Sequence, residues 1–261
     1  EVDQLGESVA AHGLEIFLLA AASPFKHLDL TQLEVGALDE HEGFRSDFKA
    51  IKRSMDVAKR LNVRGVNAHA FAWPGEYHGA GKATWPMRWL TQGGIIAKSD
   101  MEKLVAIFTR VLEEAERYDV DLVLSMLPWH YTNTSTNFRA LAEQLKSSRL
   151  KALWGPADSV NCGEPEVATQ GFNNLRPYLY GLHLKDLRVI DGLHLDFEYC
   201  PIGEGDVDYP TIMYNMRQHR CDAVLSVATH FRPEGGTPMD AMRINYGNLQ
   251  KIIRDVENEA S

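Results

Sequence analysis

Three side chains in this sequence have the chemistry needed to move protons. His183 and Lys185 lie in the segment Gly-Leu-His-Leu-Lys-Asp, and His130 follows a separate apolar segment. An imidazole that titrates near neutral pH can accept and return a proton, and an ammonium group can stabilise an enolate or bind an anion. We therefore expect acid–base chemistry with His183, Lys185 and His130 as the catalytic residues, and with His183 or His130 titrating near neutrality.

A second set of side chains suits the binding of a sugar. Aromatic rings stack on the apolar faces of sugars, while charged groups and imidazoles bind hydroxyl groups. Trp73 begins an aromatic, glycine-rich loop over residues 73–89, which is either a lid over the site or a surface loop with its own packing. The partner expected for such a site is a small carbohydrate, a polyol or a glycoside. The expected substrate-binding residues are Trp73, His69, Asp158, Arg188 and Glu204.

Charge and composition exclude several classes of protein. The 261 residues include 27 lysines and arginines against 36 aspartates and glutamates, and the net charge of -9 repels nucleic acid and anionic membranes. The longest uninterrupted apolar run, residues 16–22, is far shorter than the roughly 18 residues of a membrane span. Three cysteines without metal-binding spacing indicate a reducing compartment. The sequence thus predicts a cytoplasmic protein with no nucleic-acid or membrane partner.

Short apolar runs alternate with amphipathic stretches along the chain, which is typical of repeated βα units around a parallel sheet. The clearest helix has an apolar stripe from Met101 to Ala115, and Ser99 with Glu102 predicts a capping box at its start. The other helices are expected over residues 5–12 and 44–61 and around residues 242–256. The predicted strands span residues 14–20, 33–38, 65–71, 122–127, 150–154, 181–185 and 223–228.

These units predict one domain over residues 1–261 with an α/β fold of the (β/α)8 TIM-barrel type, because no linker or low-complexity segment divides the chain. The helix-like stretch at residues 5–12 leads directly into a strand, so we expect the first strand of the barrel to be missing. A barrel that is open on one side exposes two strand edges, which a second copy of the chain would cover as a homo-oligomer. In such barrels the chemistry lies at the carboxyl ends of the strands.

Two pairs of motifs resemble those of a known superfamily. The segment Gly-Leu-His-Leu-Lys-Asp at residues 181–186 is followed by Pro-Ile-Gly-Glu-Gly-Asp-Val-Asp at residues 201–208. Gly-Pro-Ala-Asp at residues 155–158 is followed by Cys-Gly-Glu at residues 162–164. With these motifs the chain resembles the xylose-isomerase-like TIM-barrel superfamily over essentially its whole length. That superfamily includes sugar (phosphate) isomerases and epimerases, related dehydratases and lyases, and the endonuclease IV type of DNA repair enzyme.

The resemblance implies one divalent metal bound by a Glu, an Asp, a His and a second Glu at the ends of four strands, and a mechanism through an enediolate. In this sequence those four positions correspond to Ser125, Gly155, His183 and Ala228. Three of the four ligands are therefore replaced, and we do not expect the usual metal mechanism. The expected cofactor is none, or a weakly held divalent metal such as zinc or manganese.

Three alternatives remain at the level of the sequence. A rebuilt site would bind zinc through His183 and His230 with Asp158, aided by His130 or His69. A metal-free site would use acid–base catalysis on a sugar as an isomerase, epimerase or lyase. The third alternative is a catalytically inactive or engineered barrel that serves as a sugar-binding, partner or scaffold protein. A nuclease like the repair relatives is not expected, because a net charge of -9 argues against a basic groove.

Overall fold

The computed structural model describes residues 1–20, 23–73, 94–192 and 196–259. In these ranges six parallel strands form a curled, half-barrel sheet in the order β1-β2-β3-β4-β5-β8, and β6 and β7 form a separate antiparallel hairpin. This is the α/β architecture that the sequence predicts. The strands are β1 (Leu18–Leu19), β2 (Gly65–His69), β3 (Asp121–Ser125), β4 (Leu150–Trp154), β5 (Leu179–Leu184), β6 (Asp186–Asp191), β7 (Asp196–Cys200) and β8 (Val224–Val227).

Helices cover the sheet and connect its strands. The α-helices are α1 (Val2–Ala11), α2 (Glu42–Arg60), α3 (Lys98–Tyr118), α4 (Ser135–Leu145), α5 (Pro156–Asn161), α6 (Phe172–Leu175), α7 (Tyr209–Gln218) and α8 (Pro238–Glu259). Shorter turns of 3-10 helix occur at Leu30–Gln32, Val35–Glu40 and Arg176–Tyr178, and a π-helical turn occurs at Val167–Gly171. Among the described helices, none is both long and apolar enough to cross a membrane.

The register of the sheet brings the ends of its strands to one edge. Every residue of β2 and β3 is buried, as expected for strands of a parallel sheet that is covered on both faces. His69 pairs with Ser125 across β2 and β3, and His183 pairs with Ser226 across β5 and β8. Side chains at the carboxyl ends of these strands therefore share one edge of the sheet.

The apolar stripe predicted for α3 is confirmed, since the buried residues of this helix run from Met101 to Ala115. The predicted capping box is wrong. The helix begins at Lys98 with Ala97 as its N-cap, and no side chain makes a cap hydrogen bond. Ser99 lies inside the first turn, where its hydroxyl group is past the position that caps a helix.

The strand predicted over residues 33–38 is also wrong, because this segment contains the 3-10 helix Val35–Glu40. Leu33 and Leu38 are buried, whereas Val35 between them is exposed. The two buried leucines are five residues apart, so they do not lie on the same face of a strand, where the side-chain period is two. Leu33 follows one 3-10 turn and Leu38 lies within the next, so two helical turns explain the apolar pattern without a strand.

Asp186 organises the β6–β7 hairpin, which the sequence pattern does not predict, together with the loop that follows it. The buried carboxylate accepts hydrogen bonds from the backbone N–H groups of Leu187 (2.9 Å), Gly203 (2.8 Å), Gly205 (3.2 Å) and Val207 (3.3 Å). Burial raises the pKa of this carboxyl group, and the four backbone donors act in the opposite direction. The Lys-Asp and Gly-Glu-Gly parts of the two motifs therefore contact each other.

Two glycines make this arrangement possible. Gly203 has a φ of +84°, a conformation in which residues with a Cβ atom are strained. A Cβ atom at Gly205 would overlap Asp186 Oδ1 and the carbonyl oxygen of Leu187, so the loop comes this close only without a side chain there. Asp208 then begins α7, where its carboxylate accepts a backbone hydrogen bond at 3.0 Å as the N-cap.

The two ends of the six-stranded sheet are β1 and β8. Leu18 and Leu19 of β1 are half-buried, and Val224 of β8 is exposed. Edge strands leave backbone donors and acceptors without strand partners on one side. Whether a second copy of the chain covers these edges stays a prediction.

Candidate functional site

The family ligand positions inferred from the sequence lie together at the carboxyl edge of the sheet, which we call the rim. Ser125 ends β3, and Gly155 follows β4 directly. His183 lies in β5, and Lys185 follows that strand directly. Ala228 follows β8, and its N–H group donates a hydrogen bond to the β5 backbone at 2.9 Å. The rim therefore joins residues from four strands of the sheet.

A buried ion pair lies at the centre of the rim. Lys185 Nζ donates a hydrogen bond to Asp158 Oδ2 at 2.7 Å, and the two side chains are only 6% and 4% exposed. Asp158 lies in α5, one turn after Gly155. The backbone of Lys185 is fixed as well, because its N–H donates to Tyr209 Oη (3.2 Å) and its carbonyl oxygen accepts from the same hydroxyl (2.5 Å).

The rim does not fit a divalent metal ion. The hydroxyl of Ser125 accepts a hydrogen bond from Asn67 Nδ2 (2.8 Å), Gly155 has no side chain, and Ala228 offers only a methyl group. Within the ranges that the structure describes, no three His, Cys, Asp or Glu residues are placed to hold an ion. The ammonium group of Lys185 would also repel a second cation in a buried place. The described part of the chain thus does not assemble the rebuilt zinc site considered from the sequence.

His183 and His230 lie half-buried on the β5 and β8 side of the rim. Burial lowers the pKa of His183, the charge of Lys185 lowers it further, and the charge of Asp158 partly opposes this. Burial and the charges of Lys185 and His183 lower the pKa of His230 to about 4. Each neutral imidazole carries one nitrogen that can accept a proton, and its low pKa makes His230 the weaker acceptor of the two. The pKa of His183 is thus shifted downwards from the ordinary value for an imidazole, and its titration near neutrality stays a prediction.

His69 and His130 form a second pair of imidazoles, with ring centroids 5.1 Å apart. Burial lowers the pKa of His69 to about 3, and burial lowers the pKa of His130 well below its usual range. His130 is fully buried, and its Nδ1 lies 3.4 Å from the carbonyl oxygen of Ser125. The expectation that His130 titrates near neutrality is therefore wrong. Its burial favours a structural position behind the rim over direct contact with a substrate.

Trp73 is fixed by another aromatic residue. Its ring stacks on Tyr131 with the centroids 4.1 Å apart, so one face of the indole is covered. The remainder of the loop predicted as a lid, residues 74–89, lies outside the described residues. Trp73 therefore remains a candidate for stacking on a sugar through its other face only.

Arg188 and Glu204 contact each other away from the buried ion pair. The guanidinium of Arg188 donates to Glu198 Oε1 (2.8 Å) in β7 and to the backbone carbonyl oxygen of Glu204 (2.9 Å). Both Arg188 and Glu204 are exposed. The structure thus places these two predicted substrate-binding residues on the hairpin side of the rim, where they could contact a distal part of a ligand.

Two residues near the predicted groups are not indicated by any motif. The ring of Tyr199 in β7 lies 4.9 Å from that of His230, and the hairpin that carries it has no clear strand pattern in the sequence. Lys26 Nζ lies 5.9 Å from the ring centroid of Trp129, and its charge contributes to the low pKa of His69. Sequence periodicity cannot find such neighbours, because the fold alone brings them together.

The Cys-Gly-Glu motif has a structural role at the start of α4. Both carboxylate oxygens of Glu164 accept hydrogen bonds from the backbone N–H of Ser135, at 2.9 and 3.1 Å, and one of them also contacts the Ser135 hydroxyl. Gly163 permits the turn before it with a φ of +70°. Thr134 caps the same helix through its hydroxyl oxygen, which accepts from the Asn137 N–H (3.2 Å). Two side chains therefore satisfy the first turn of α4.

Replacing Glu164 with alanine is expected to lower the free energy of unfolding by about 1–2 kcal/mol, because a helix N-terminus loses a charged cap. Urea denaturation of the wild type and the variant measures this difference. Glu113→Ala serves as the matched control, since Glu113 is an exposed glutamate in the middle of α3. Equal losses in the two variants would show that Glu164 is not a cap.

Comparison with known families gives a match over nearly the whole chain. The family described as xylose isomerase-like TIM barrel matches residues 1–248. The comparison with curated proteins gave no match. The family match agrees with the fold and with the motifs at residues 155–164 and 181–208.

Several solved structures share the fold. A D-tagatose 3-epimerase-like protein has a TM-score of 0.70 and 15% identity, with 100% of this chain and 85% of that chain covered. A 3-keto-D-glucoside 4-epimerase from E. coli has a TM-score of 0.68 and 17% identity, with 96% and 84% covered. The IOLI protein, solved with a binding zinc atom, has a TM-score of 0.70 and 18% identity, with 98% and 82% covered. At these identities the likeness shows the fold alone.

Proposed function

The chain belongs to the xylose isomerase-like TIM barrel family, and from this premise we propose that it is an enzyme that moves a proton on a small carbohydrate, as a sugar isomerase, epimerase or lyase does. The observation that carries the proposal is the placement of the half-buried imidazoles of His183 and His230 beside the buried ion pair of Lys185 and Asp158 at the rim. Similar solved structures include sugar epimerases, which supports the choice of substrate class.

The roles follow from the chemistry of each group. The neutral imidazole of His183 accepts the proton from the carbon next to the sugar carbonyl, and the electron pair of the broken C–H bond forms an enolate. The N–H groups of Lys185 stabilise the negative charge on the enolate oxygen. Return of the proton to the same carbon from the other side epimerises it. For isomerisation, the former carbonyl oxygen gains a proton, the hydroxyl on the first carbon loses one to become the new carbonyl, and the abstracted proton returns to the former carbonyl carbon. Loss of a leaving group instead gives the lyase outcome.

The remaining predicted residues are proposed to bind the substrate. Asp158 has a second carboxylate oxygen beyond the one paired with Lys185, and it can accept a sugar hydroxyl. His69 and Trp73 lie on the β2 side, and Arg188 with Glu204 on the hairpin side. We also propose a cytoplasmic location and a homo-oligomer in which a second copy covers β1 and β8.

Exchange of substrate hydrogen with solvent deuterium tests this function directly. Proton NMR in D₂O should show loss of the signal next to the carbonyl in at least one member of a panel of ketoses, aldoses and keto-glycosides. We expect His183→Ala and Lys185→Ala each to slow the exchange by about 10²–10⁴-fold. His12→Ala should leave it unchanged, because His12 is exposed at the end of α1.

The second candidate function is a non-catalytic sugar-binding or scaffold protein. It is favoured by the burial of the Lys185–Asp158 pair, whose side chains are 6% and 4% exposed, because little of either group is open to a substrate. Saturable sugar binding without exchange would support this alternative and would contradict the enzymatic proposal. Unchanged exchange in both the His183 and Lys185 variants would remove these residues from the mechanism.

A further inference from the structure

We infer that the Lys185 ammonium group, held by Asp158 in the space next to Gly155, is a built-in cation that replaces a divalent metal at the rim. Gly155 is the rim position without a side chain, and the Asp158 carboxylate fills the space that a side chain there would enter. The ammonium group lies 2.7 Å from that carboxylate. For its catalytic meaning this inference rests on the proposed function, whereas the cation site itself can be tested without a substrate.

Gly155 is required for this arrangement. A Cβ atom at residue 155 would overlap Asp158 Oδ2 and lie 3.2 Å from Asp158 Cγ. The backbone cannot relieve the overlap easily, because the N–H groups of Asp158 and Ser159 both donate to the Gly155 carbonyl oxygen, at 2.9 and 3.1 Å. Any side chain at residue 155 therefore displaces the carboxylate from Lys185. Gly155 and Asp158 act as positioning residues for the ammonium group.

The chain on both sides of the ammonium group is also fixed. The peptide groups of Lys185 bind the hydroxyl of Tyr209, which is fully buried, and the next residue, Asp186, accepts four backbone hydrogen bonds. A cation held in this way needs no reorganisation when negative charge develops beside it. Such preorganisation is what a metal ion supplies when it polarises a sugar carbonyl.

The arrangement also defines the ligand. An ammonium group has three N–H donors, and one of those of Lys185 is directed at Asp158. The other two are suited to one or two oxygens of a carbonyl or enolate. A metal chelate is excluded, because a divalent ion would need the carboxylate that Lys185 already binds and would be repelled by the ammonium charge. The site therefore suits the oxygen of a carbonyl compound without a metal, and the proposed function makes that compound a sugar.

Thermal unfolding in the presence of added cations tests the cation site. In Lys185→Ala the carboxylate of Asp158 has lost its cation, so ethylammonium should raise Tm saturably by about 2–4 °C, whereas Mn²⁺ should not, because the rim offers it too few ligands. The wild type should show no saturable rise, because Lys185 already fills the place. The control is Lys185→Met with Asp158→Asn, which has neither charge and should not respond to either cation.

Two results would overturn the inference. One is a saturable rise in Tm of the wild type with Mn²⁺, and the other is a Lys185→Ala variant that does not respond to ethylammonium. If Lys185→Ala folds only with added ethylammonium, that dependence is itself the expected response. If Lys185→Ala responds to ethylammonium as expected but no sugar shows deuterium exchange, the cation site stands. Only the proposed function is then contradicted.

Gly155→Ala provides an independent test that retains both charged groups. Displacement of the Asp158 carboxylate should free the Lys185 amine, and we expect a severalfold rise in its acetylation by acetic anhydride, mapped by mass spectrometry. Gly247→Ala is the matched control, since a Cβ atom at this glycine in α8 meets nothing within 4 Å. Unchanged labelling of Lys185 in Gly155→Ala would contradict the positioning role of Gly155.

Discussion

Replacing Lys185 with methionine is expected to lower the free energy of unfolding by about 3–5 kcal/mol. The substitution leaves the Asp158 carboxylate, whose side chain is 4% exposed, without the ammonium group that lies 2.7 Å from it. A buried carboxylate without a partner has lost its interactions with water, and no ion pair compensates for that loss. Urea denaturation of the two proteins at pH 7 measures the difference.

A second substitution separates the charge of the pair from its volume. Lys185→Met combined with Asp158→Asn leaves two neutral side chains of similar size, and we expect most of the lost free energy to return. Lys98→Met is the matched control, because Lys98 is 92% exposed and its loss should change stability by no more than about 0.5 kcal/mol. If the double variant were as unstable as Lys185→Met, the loss of stability would not come from the unpaired charge of Asp158.

Replacing Asp186 with alanine is the second substitution with a large expected effect, a loss of at least about 3 kcal/mol in the free energy of unfolding. The carboxylate is the acceptor for four backbone N–H groups, which join the start of β6 to the loop at residues 203–207. Removing this carboxylate leaves four backbone donors without their acceptor, and two of them, those of Leu187 and Val207, belong to buried residues. The measurement is again urea denaturation, and hydrogen exchange of the Gly203 and Gly205 amides locates the change.

Two further variants distinguish this role from a general effect of lost charge. Asp186→Asn keeps one acceptor oxygen and should give an intermediate loss. Asp222→Ala removes an exposed carboxylate between α7 and β8 and should have little effect. If Asp186→Ala were as stable as Asp222→Ala, the hydrogen bonds to Asp186 would not hold the loop in place.

The sequence predicts those parts of the fold in which periodicity and burial agree. The helix α3 has a continuous apolar stripe from Met101 to Ala115, and β4 is a short apolar run, so both follow from local pattern. The β6–β7 hairpin does not, because Val189 and Ile190 are exposed and are flanked by the charged residues Arg188 and Asp191. The helical turn at Val35–Glu40 was missed because a short apolar run does not distinguish a strand from a turn.

The candidate site was predictable in its positions but not in its interactions. Motif spacing places His183, Lys185 and Asp158 at strand ends, and the structure brings Lys185 and Asp158 into contact. The overlap between a side chain at Gly155 and the Asp158 carboxylate depends on three-dimensional packing. Burial, which makes the imidazoles of His69 and His130 poor proton acceptors, is likewise a property of the folded chain.

Metal content is the most direct test of a rim that works with an ammonium group in place of a divalent ion. Elemental mass spectrometry of the purified wild type should find manganese, zinc and magnesium far below one ion per chain. Calorimetric titration with Mn²⁺ or Zn²⁺ should give no saturable heat, because Lys185 occupies the carboxylate of Asp158. One tightly bound metal ion per chain would contradict this mechanism if a chelator both removed the ion and abolished the deuterium exchange.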